Sequence, residues 1–313
     1  MTKKDWQTRL ERVLWIGADS IARVFEPLWL KVYEKKYDDE PNFPPIFIIG
    51  APRSGTTLIY QAFIYYFDIA YMTNLMAELY HAPLLATAFS KFTVSKNEFH
   101  SLYGKTSGLW GPHEGGQFWY RWFPRAPHVY VGPNEMAQSV KASLAHTVHK
   151  MSKIAGQPMF FKNTFHTMRI APLLEIFPDC LFIISHRDPA DTAQSILQAR
   201  IQNFGSPEPW WSVPPQEFSI IKAHPYWDQV VEQVYFCYRQ IEADRKRAPD
   251  RFFDLSYREF CQQPNASLER MKEKFVELNV NLRKRPGYKL EPFTLRAHQP
   301  DKRIRKKVQE LWP

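Results

Sequence analysis

Residues Ile46 to Tyr60, IFIIGAPRSGTTLIY, decide the fold. The apolar run Ile46-Phe47-Ile48-Ile49 reads as a buried strand, and Thr56 to Phe67 reads as a helix with Leu58, Ile59, Ala62 and Phe63 facing inward. Between them lies a loop bounded by Gly50 and Gly55. Glycines let backbone N–H groups approach an oxyanion closely, and the positive end of the following helix dipole adds to the attraction. From Gly50 to Thr57 the spacing matches the nucleotide P-loop, G-x-x-x-x-G-K-S/T, except that Thr56 stands at the lysine position. The loop therefore lacks the ammonium that grips the β- and γ-phosphates of a triphosphate, and its own cation is Arg53. The segment Pro52-Arg53-Ser54-Gly55-Thr56-Thr57 suits a terminal oxyanion group other than a Mg-bound triphosphate.

The rest of the chain continues the strand-helix alternation. Residues 71–155 read as mostly helical and irregular and include the aromatic stretch Trp110 to Phe123. Met159 to Phe161 reads as a short strand ending at Lys162, Arg169 to Phe177 as a helix, and Cys180 to Ser185 as a continuous apolar strand of the parallel kind. Asp188-Pro189 is a helix start, since Asp caps free N–H groups and Pro fits the first turn. A long helix from about Pro225 to Arg247 precedes a last strand, Arg251 to Ser256. The class is α/β: a P-loop-like parallel sheet flanked by helices. Ligands in such open sheets bind beyond the carboxyl ends of strands, where Gly50 and Arg187 both fall.

The strand-PRSGTT-helix unit resembles the 5′-phosphosulfate loop of sulfotransferases that use 3′-phosphoadenosine 5′-phosphosulfate (PAPS), in the arginine form of the tyrosylprotein and broad bacterial-type branches. Residues 181–197, LFIISHRDPADTAQSIL, are similar to that family's 3′-phosphate site, an arginine leaving a strand and a serine eight positions later, here Arg187 and Ser195. The resemblance extends more weakly from about Ile46 to Phe260. It implies PAPS as donor, 3′,5′-ADP as product and no metal. Arg53, Ser54, Gly55, Thr56, Thr57, Arg187 and Ser195 then hold the nucleotide, joined by Tyr257, whose segment Tyr257-Arg258-Glu259-Phe260 resembles a strand end beside the adenine. Core packing is the other reading of Tyr257. Arg283-Lys284-Arg285-Pro286-Gly287 is a loose analogue of the cytosolic branch's R-K-G loop.

Sulfuryl transfer needs a cation at the leaving oxygen, donors around the sulfuryl group and a base for the acceptor hydroxyl. Arg53 and the Ser54 to Thr57 amides are the candidates for the first two. Two residues compete as base. In Phe161-Lys162-Asn163-Thr164-Phe165-His166, Lys162 leaves a strand and His166 follows, similar to a family segment that brings lysine and histidine to the cofactor, although the cytosolic histidine falls where this chain has Thr164. Glu114 is the rival, in the glycine-rich Gly111 to Gln117, which resembles the acidic acceptor-side segment of the other branches; His113 comes third. The aromatic residues, with Arg121 and Arg125 beside them, suit a carbohydrate or glycoconjugate, and equally a lipophilic alcohol or phenol. A P-loop kinase or NTPase, and a non-catalytic anion- or nucleic-acid-binding protein, are the competing readings.

Composition sets the frame. The 313 residues suffice for one large α/β domain at 41–313, with a helical acceptor-binding insert at about 71–155 and a basic segment at 281–313. That segment carries ten Lys or Arg against Glu291, Asp301 and Glu310, but Pro286, Pro292 and Pro300 interrupt it and no nucleic-acid motif accompanies it, so no nucleic acid is expected as partner. Cys180, Cys237 and Cys261 have no C-x-x-C spacing and predict reduced thiols. No apolar run is long enough to span a membrane, and the charged start MTKKDWQTRLERVLW lacks the apolar core of a signal peptide, which predicts a cytoplasmic chain. Residues 1–40 form an N-terminal extension: an amphipathic helix from Asp5 to about Glu26 with Leu10, Val13, Leu14, Ile21, Val24 and Phe25 on one side, then a second piece restarted at Pro27. That apolar side is expected to pack on the domain or on a second copy in a homodimer; docking to a membrane surface is the alternative, disfavoured because the polar face has as many acids as bases.

Overall fold

A computed structural model of the chain describes residues 3–37, 41–92, 106–125 and 129–312, with the side chains of 3–10 and 33–35 outside the description. In chain order its elements are α1 (Lys3–Tyr37), β1 (Ile46–Ile49), α2 (Thr56–Tyr66), β2 (Phe67–Asp68), β3 (Ala70–Tyr71), α3 (Asn74–Glu78) and α4 (Pro83–Phe89). Next come α5 (Gly116–Trp119), α6 (Gln138–Ala155), β4 (Met159–Lys162), α7 (Ile170–Ile176), β5 (Leu181–His186), α8 (Pro189–Phe204), α9 (Phe218–Ile221) and α10 (Tyr226–Arg245). The chain continues through β6 (Phe252–Ser256), α11 (Tyr257–Gln262), α12 (Pro264–Glu277), β7 (Arg283–Lys284) and α13 (Lys302–Leu311).

Five strands form a parallel sheet in the order β3-β4-β1-β5-β6, with β1 in the middle. Its sequence explains the position: Phe47 and Ile49 face one apolar core, Ile46 and Ile48 the other. The first core adds Trp119, Phe161, Phe177 and Phe182 beneath α6 and α7. The second adds Phe63, Phe160, Ile183 and Phe275 beneath α2 and α12. From β1 the chain crosses to the β3 edge and returns through α6 to β4, then passes β1 to reach β5 on its other side. This change of direction makes a crevice at the carboxyl ends of β4, β1 and β5. Gly50, Lys162, Arg187 and Tyr257 all follow or end strands on that edge. Cys180, Cys237 and Cys261 are free thiols buried in the packing.

The N-terminal helix departs from expectation twice. It runs unbroken through Pro27 as one helix, with Pro27 on an exposed face. The side that packs is also not the apolar one. Val13, Leu14, Ile21, Val24 and Phe25 are turned outward, while Asp19, Ala22 and the partly buried Trp15 and Leu30 face the body. Leu10 lies outside the described side chains. Two carboxylates select this orientation. Asp19 accepts from the His81 backbone N–H at 3.0 Å and meets His81 Nδ1 at 2.6 Å. Glu26 Oε2 accepts from Leu84 and Leu85 N–H at 2.7 and 2.9 Å, which caps α4, whose own preceding residue Ala82 has no capping group.

Candidate active site

The loop after β1 is held open by backbone geometry that its sequence permits. Gly50 has φ 147°, and a Cβ there would lie 2.8 Å from Ser54 Oγ and 2.9 Å from the Ser185 carbonyl. Thr167, in the 3-10 turn after β4, pins this glycine from both sides: its hydroxyl accepts from Gly50 N–H at 3.2 Å and donates to Gly50 C=O at 3.0 Å. Ser185 on β5 donates to the Ser54 carbonyl at 2.7 Å. Gly55, at φ 97°, precedes the first turn of α2, whose free N–H groups point to the crevice. Arg53 is left-handed at φ 69°, a conformation that costs a non-glycine residue about 1–2 kcal/mol.

That backbone sends the Arg53 side chain toward α8, where its Nε donates to Ser195 Oγ at 3.0 Å. Arg187 completes the group. Its Nη1 donates to the Arg53 carbonyl at 2.8 Å, its Nε to Asp191 Oδ2 at 2.6 Å and its Nη2 to the Arg296 carbonyl at 2.5 Å, with the guanidinium 5.0 Å above the Tyr257 ring. Asp188, as the sequence predicts, caps α8 by accepting from Asp191 N–H at 2.8 Å. The structure thus brings Arg53, Arg187, Ser195 and Tyr257 together. Burial holds the His298 imidazole below its usual range; Asp191 opposes the shift, while Arg187, Arg53 and Arg296 reinforce it. A site with three guanidiniums near one carboxylate suits a phosphate dianion.

The segment crossing this group is Arg296 to Asp301, tied by His298 N–H to Asp191 Oδ1 at 2.5 Å and by Asp301 N–H to Gln194 Oε1 at 3.0 Å. It is not Arg283 to Gly287. Arg283 and Lys284 form β7, an antiparallel pair with β2, and their side chains meet Asp68 and Glu269. The loose R-K-G analogue is therefore edge structure, tied by two carboxylates away from the Arg53–Arg187 group.

Lys162 ends β4 with its side chain 5% exposed and forms an ion pair with Glu114 Oε1. Glu114 reaches it because its loop hangs on the sheet edge. His113 N–H donates to the Met72 carbonyl and Asn74 N–H to the Gly111 carbonyl, both at 2.8 Å, and Thr73 bridges to Pro112. Asn163 Nδ2 donates to the Glu114 carbonyl at 3.3 Å, and His113 Nδ1 accepts from Gly115 N–H at 2.8 Å. Glu114, Lys162, His113 and Gln61 line one small cleft with Thr57 of the loop. A carboxylate, an ammonium and the start of α2 therefore share a recess with the anion cradle.

His166 is elsewhere. It is 0% exposed, 4.3 Å from the Trp119 ring and 5.4 Å from Phe47, with neither ring nitrogen hydrogen-bonded. Burial, with Arg169 adding to it, drives its pKa well below the usual value of 6.5. Much of the aromatic stretch is core as well: Phe118, Trp119 and Phe123 are buried. Arg121 donates to the Tyr80 carbonyl at 2.9 Å and Arg125 to Gln117 at 3.0 Å, and neither lines the cleft. Sequence reasoning missed Thr167, Asn163 and Tyr238, whose hydroxyl donates to the Ser185 carbonyl at 2.7 Å. Their partners are distant in the chain and no local pattern marks them.

This arrangement defines an anion-transfer site on a P-loop-like sheet. The sulfotransferase family model matches residues 44–279, and the chain belongs to that family. It is 27% identical over 253 residues to the omega-hydroxy-beta-dihydromenaquinone-9 sulfotransferase Stf3 of Mycobacterium bovis and to that of Mycobacterium tuberculosis, covering 73% of this chain and 61% of theirs. The chain thus spans about 61% of the length of the curated relatives it matches. Its fold is similar to that of sulfotransferase STF9 from Mycobacterium avium, with a TM-score of 0.50 and 17% identity over 84% of this chain and 71% of that one.

Proposed function

We propose that this chain transfers a sulfuryl group from PAPS to the hydroxyl of a lipophilic alcohol. The carrying observation is the Lys162–Glu114 pair, set beside Thr57 in one cleft with the anion loop. Arg53, Arg187 and Ser195 would hold the 3′-phosphate, Tyr257 would pack against the base, and the amides from Ser54 to Thr57 would hold the 5′ end. When bound, the donor supplies an activated sulfuryl group whose S–O bond to the 5′-phosphate breaks as the acceptor oxygen bonds to sulfur.

Glu114 takes the acceptor's hydroxyl proton on a carboxylate oxygen, and Lys162 faces the charge that develops on the departing oxygen. Arg53 is then a 3′-side cation, with Lys162 at the sulfuryl end. His166 supports the fold instead of acting as base, since its ring is sealed among aromatics. For the acceptor, Arg121 and Arg125 are committed to a carbonyl and an amide away from the cleft, which removes the motive for an anionic carbohydrate. The relatives named for a hydroxylated menaquinone sulfotransferase favour the lipophilic alternative.

Two measurements test the reading. Melting should rise with 3′,5′-ADP and not with Mg-ATP, because only a ligand of the native state stabilises it. Labelled PAPS should then pass its label to long-chain alcohols in preference to sugars; transfer to sugars alone would reject the lipophilic acceptor, and stabilisation by Mg-ATP alone would reject PAPS.

A further inference from the structure

The outward side of α1 carries a strip of large apolar side chains with no covering. Val13, Leu14, Ile21, Val24, Phe25, Leu28 and Val32 recur at helical spacing on the side away from α4 and are between 55% and 73% exposed. At 35 residues the helix is about 50 Å long, so the strip is far more extended than the scattered exposed leucines of an ordinary surface. A helix that keeps such a strip in water is a candidate for a surface that removes it from water.

The charges beside the strip say which surface. Between residues 11 and 32 the chain has three acids and three bases, an even balance on paper. The fold removes that balance. Asp19 and Glu26 are turned inward, spent on His81 and on the first turn of α4, whereas Arg12, Arg23 and Lys31 are exposed with Glu11 as their only exposed counter-charge in that span. Apolar strip and basic flank together form the pattern of a helix that lies in a lipid-water interface, with cations at headgroup level. A second copy fits less well, because pairing two such strips about a two-fold axis would bring the same exposed bases together.

We infer that α1 docks this protein on an anionic lipid surface, its apolar strip entering the acyl boundary and Arg12, Arg23 and Lys31 meeting phosphate headgroups. The inference rests on α1 alone and not on the identity of the acceptor.

Flotation of the full chain with vesicles tests it. The chain should float with equal mixtures of phosphatidylcholine and phosphatidylglycerol, and at least about tenfold more weakly with phosphatidylcholine alone or in high salt. Val24→Asp with Leu28→Asp should abolish flotation, and Arg12→Gln with Arg23→Gln and Lys31→Gln should reduce the mixed-vesicle binding to the neutral-vesicle level. Unchanged circular dichroism and unchanged stabilisation by 3′,5′-ADP would show that both variants are folded. A wild-type chain that floats with neither vesicle, or equally with both, overturns the proposal. So does a dimer in sedimentation velocity that Val24→Asp with Leu28→Asp splits while no vesicle binds, since the strip would then belong to a second copy.

Discussion

The Tyr257 ring fills the space beside Gly55: a Cβ on that glycine would lie 2.1 Å from the ring's Cδ2. The start of α2 and the Tyr257 ring after β6 are thus fitted to each other. Gly55→Ala must both strain a backbone at φ 97° and displace the ring, at roughly 2–4 kcal/mol for the two effects together. Chemical denaturation should show that loss, and pairing the change with Tyr257→Ala should recover part of it. Equal losses in the single and double variants would mean that the ring is not what forbids a side chain there.

Arg187 joins the Arg53 carbonyl, Asp191 and the Arg296 carbonyl in one place. Arg187→Ala should therefore weaken 3′,5′-ADP by about 1.5–3 kcal/mol, the scale of a charged hydrogen bond, and leave 5′-AMP nearly unchanged. Calorimetric titration with both nucleotides gives the comparison. Equal weakening would place the 3′-phosphate elsewhere.

Glu114→Gln keeps the size of the side chain and cannot take a proton, so turnover should fall about 100- to 10,000-fold with 3′,5′-ADP binding intact. Lys162→Met, which leaves Glu114 without its partner, should also cost turnover, whereas His166→Leu should spare it. A fast Glu114→Gln enzyme beside an inactive but folded His166→Leu enzyme would reverse these assignments.

His166 also makes a prediction in pH. Its folded pKa lies well below 6.5 because burial excludes the charged ring, so the unfolded chain binds the extra proton as pH drops below that value. Stability should be unaffected by this group above pH 6.5 and should decline below it, by up to about 1.4 kcal/mol per pH unit. Melting curves between neutral pH and the onset of carboxylate titration should fall less steeply for His166→Leu than for the native chain. Parallel curves would assign the acid sensitivity to other groups.

The sheet and the turns that follow its strands were legible in the sequence because their signals are local. An apolar run such as Ile46 to Ile49 has few alternatives to a doubly buried strand, and Gly50, Gly55 and Asp188 mark the turns that follow strands. What was hidden is contact between distant segments. Glu114 and Lys162 are 48 residues apart and Arg53 and Ser195 are 142 apart, so the first pair and the turning of Arg53 toward α8 depend on how the sheet is crossed. His166 misled for a physical reason: the 3-10 turn from Thr164 to Met168 rolls it under the sheet among Phe47 and Trp119. On α1, periodicity found the apolar strip, but two carboxylates with partners on α4 and at His81 decided which side faces the body.

The Gly111 to Gly116 loop is held by Met72, Thr73 and Asn74, the segment that follows the outermost strand β3, while Arg53 and Arg187 follow the ends of the central strands β1 and β5. The two groups are therefore anchored differently: Arg53, Arg187 and Ser195 by bonds among the central strand ends and α8, and Glu114 by the segment after β3 together with Lys162 and Asn163. A strain applied at the β3 edge should reach Glu114 while leaving the bonds of Arg187 to the Arg53 carbonyl and to Asp191 in place.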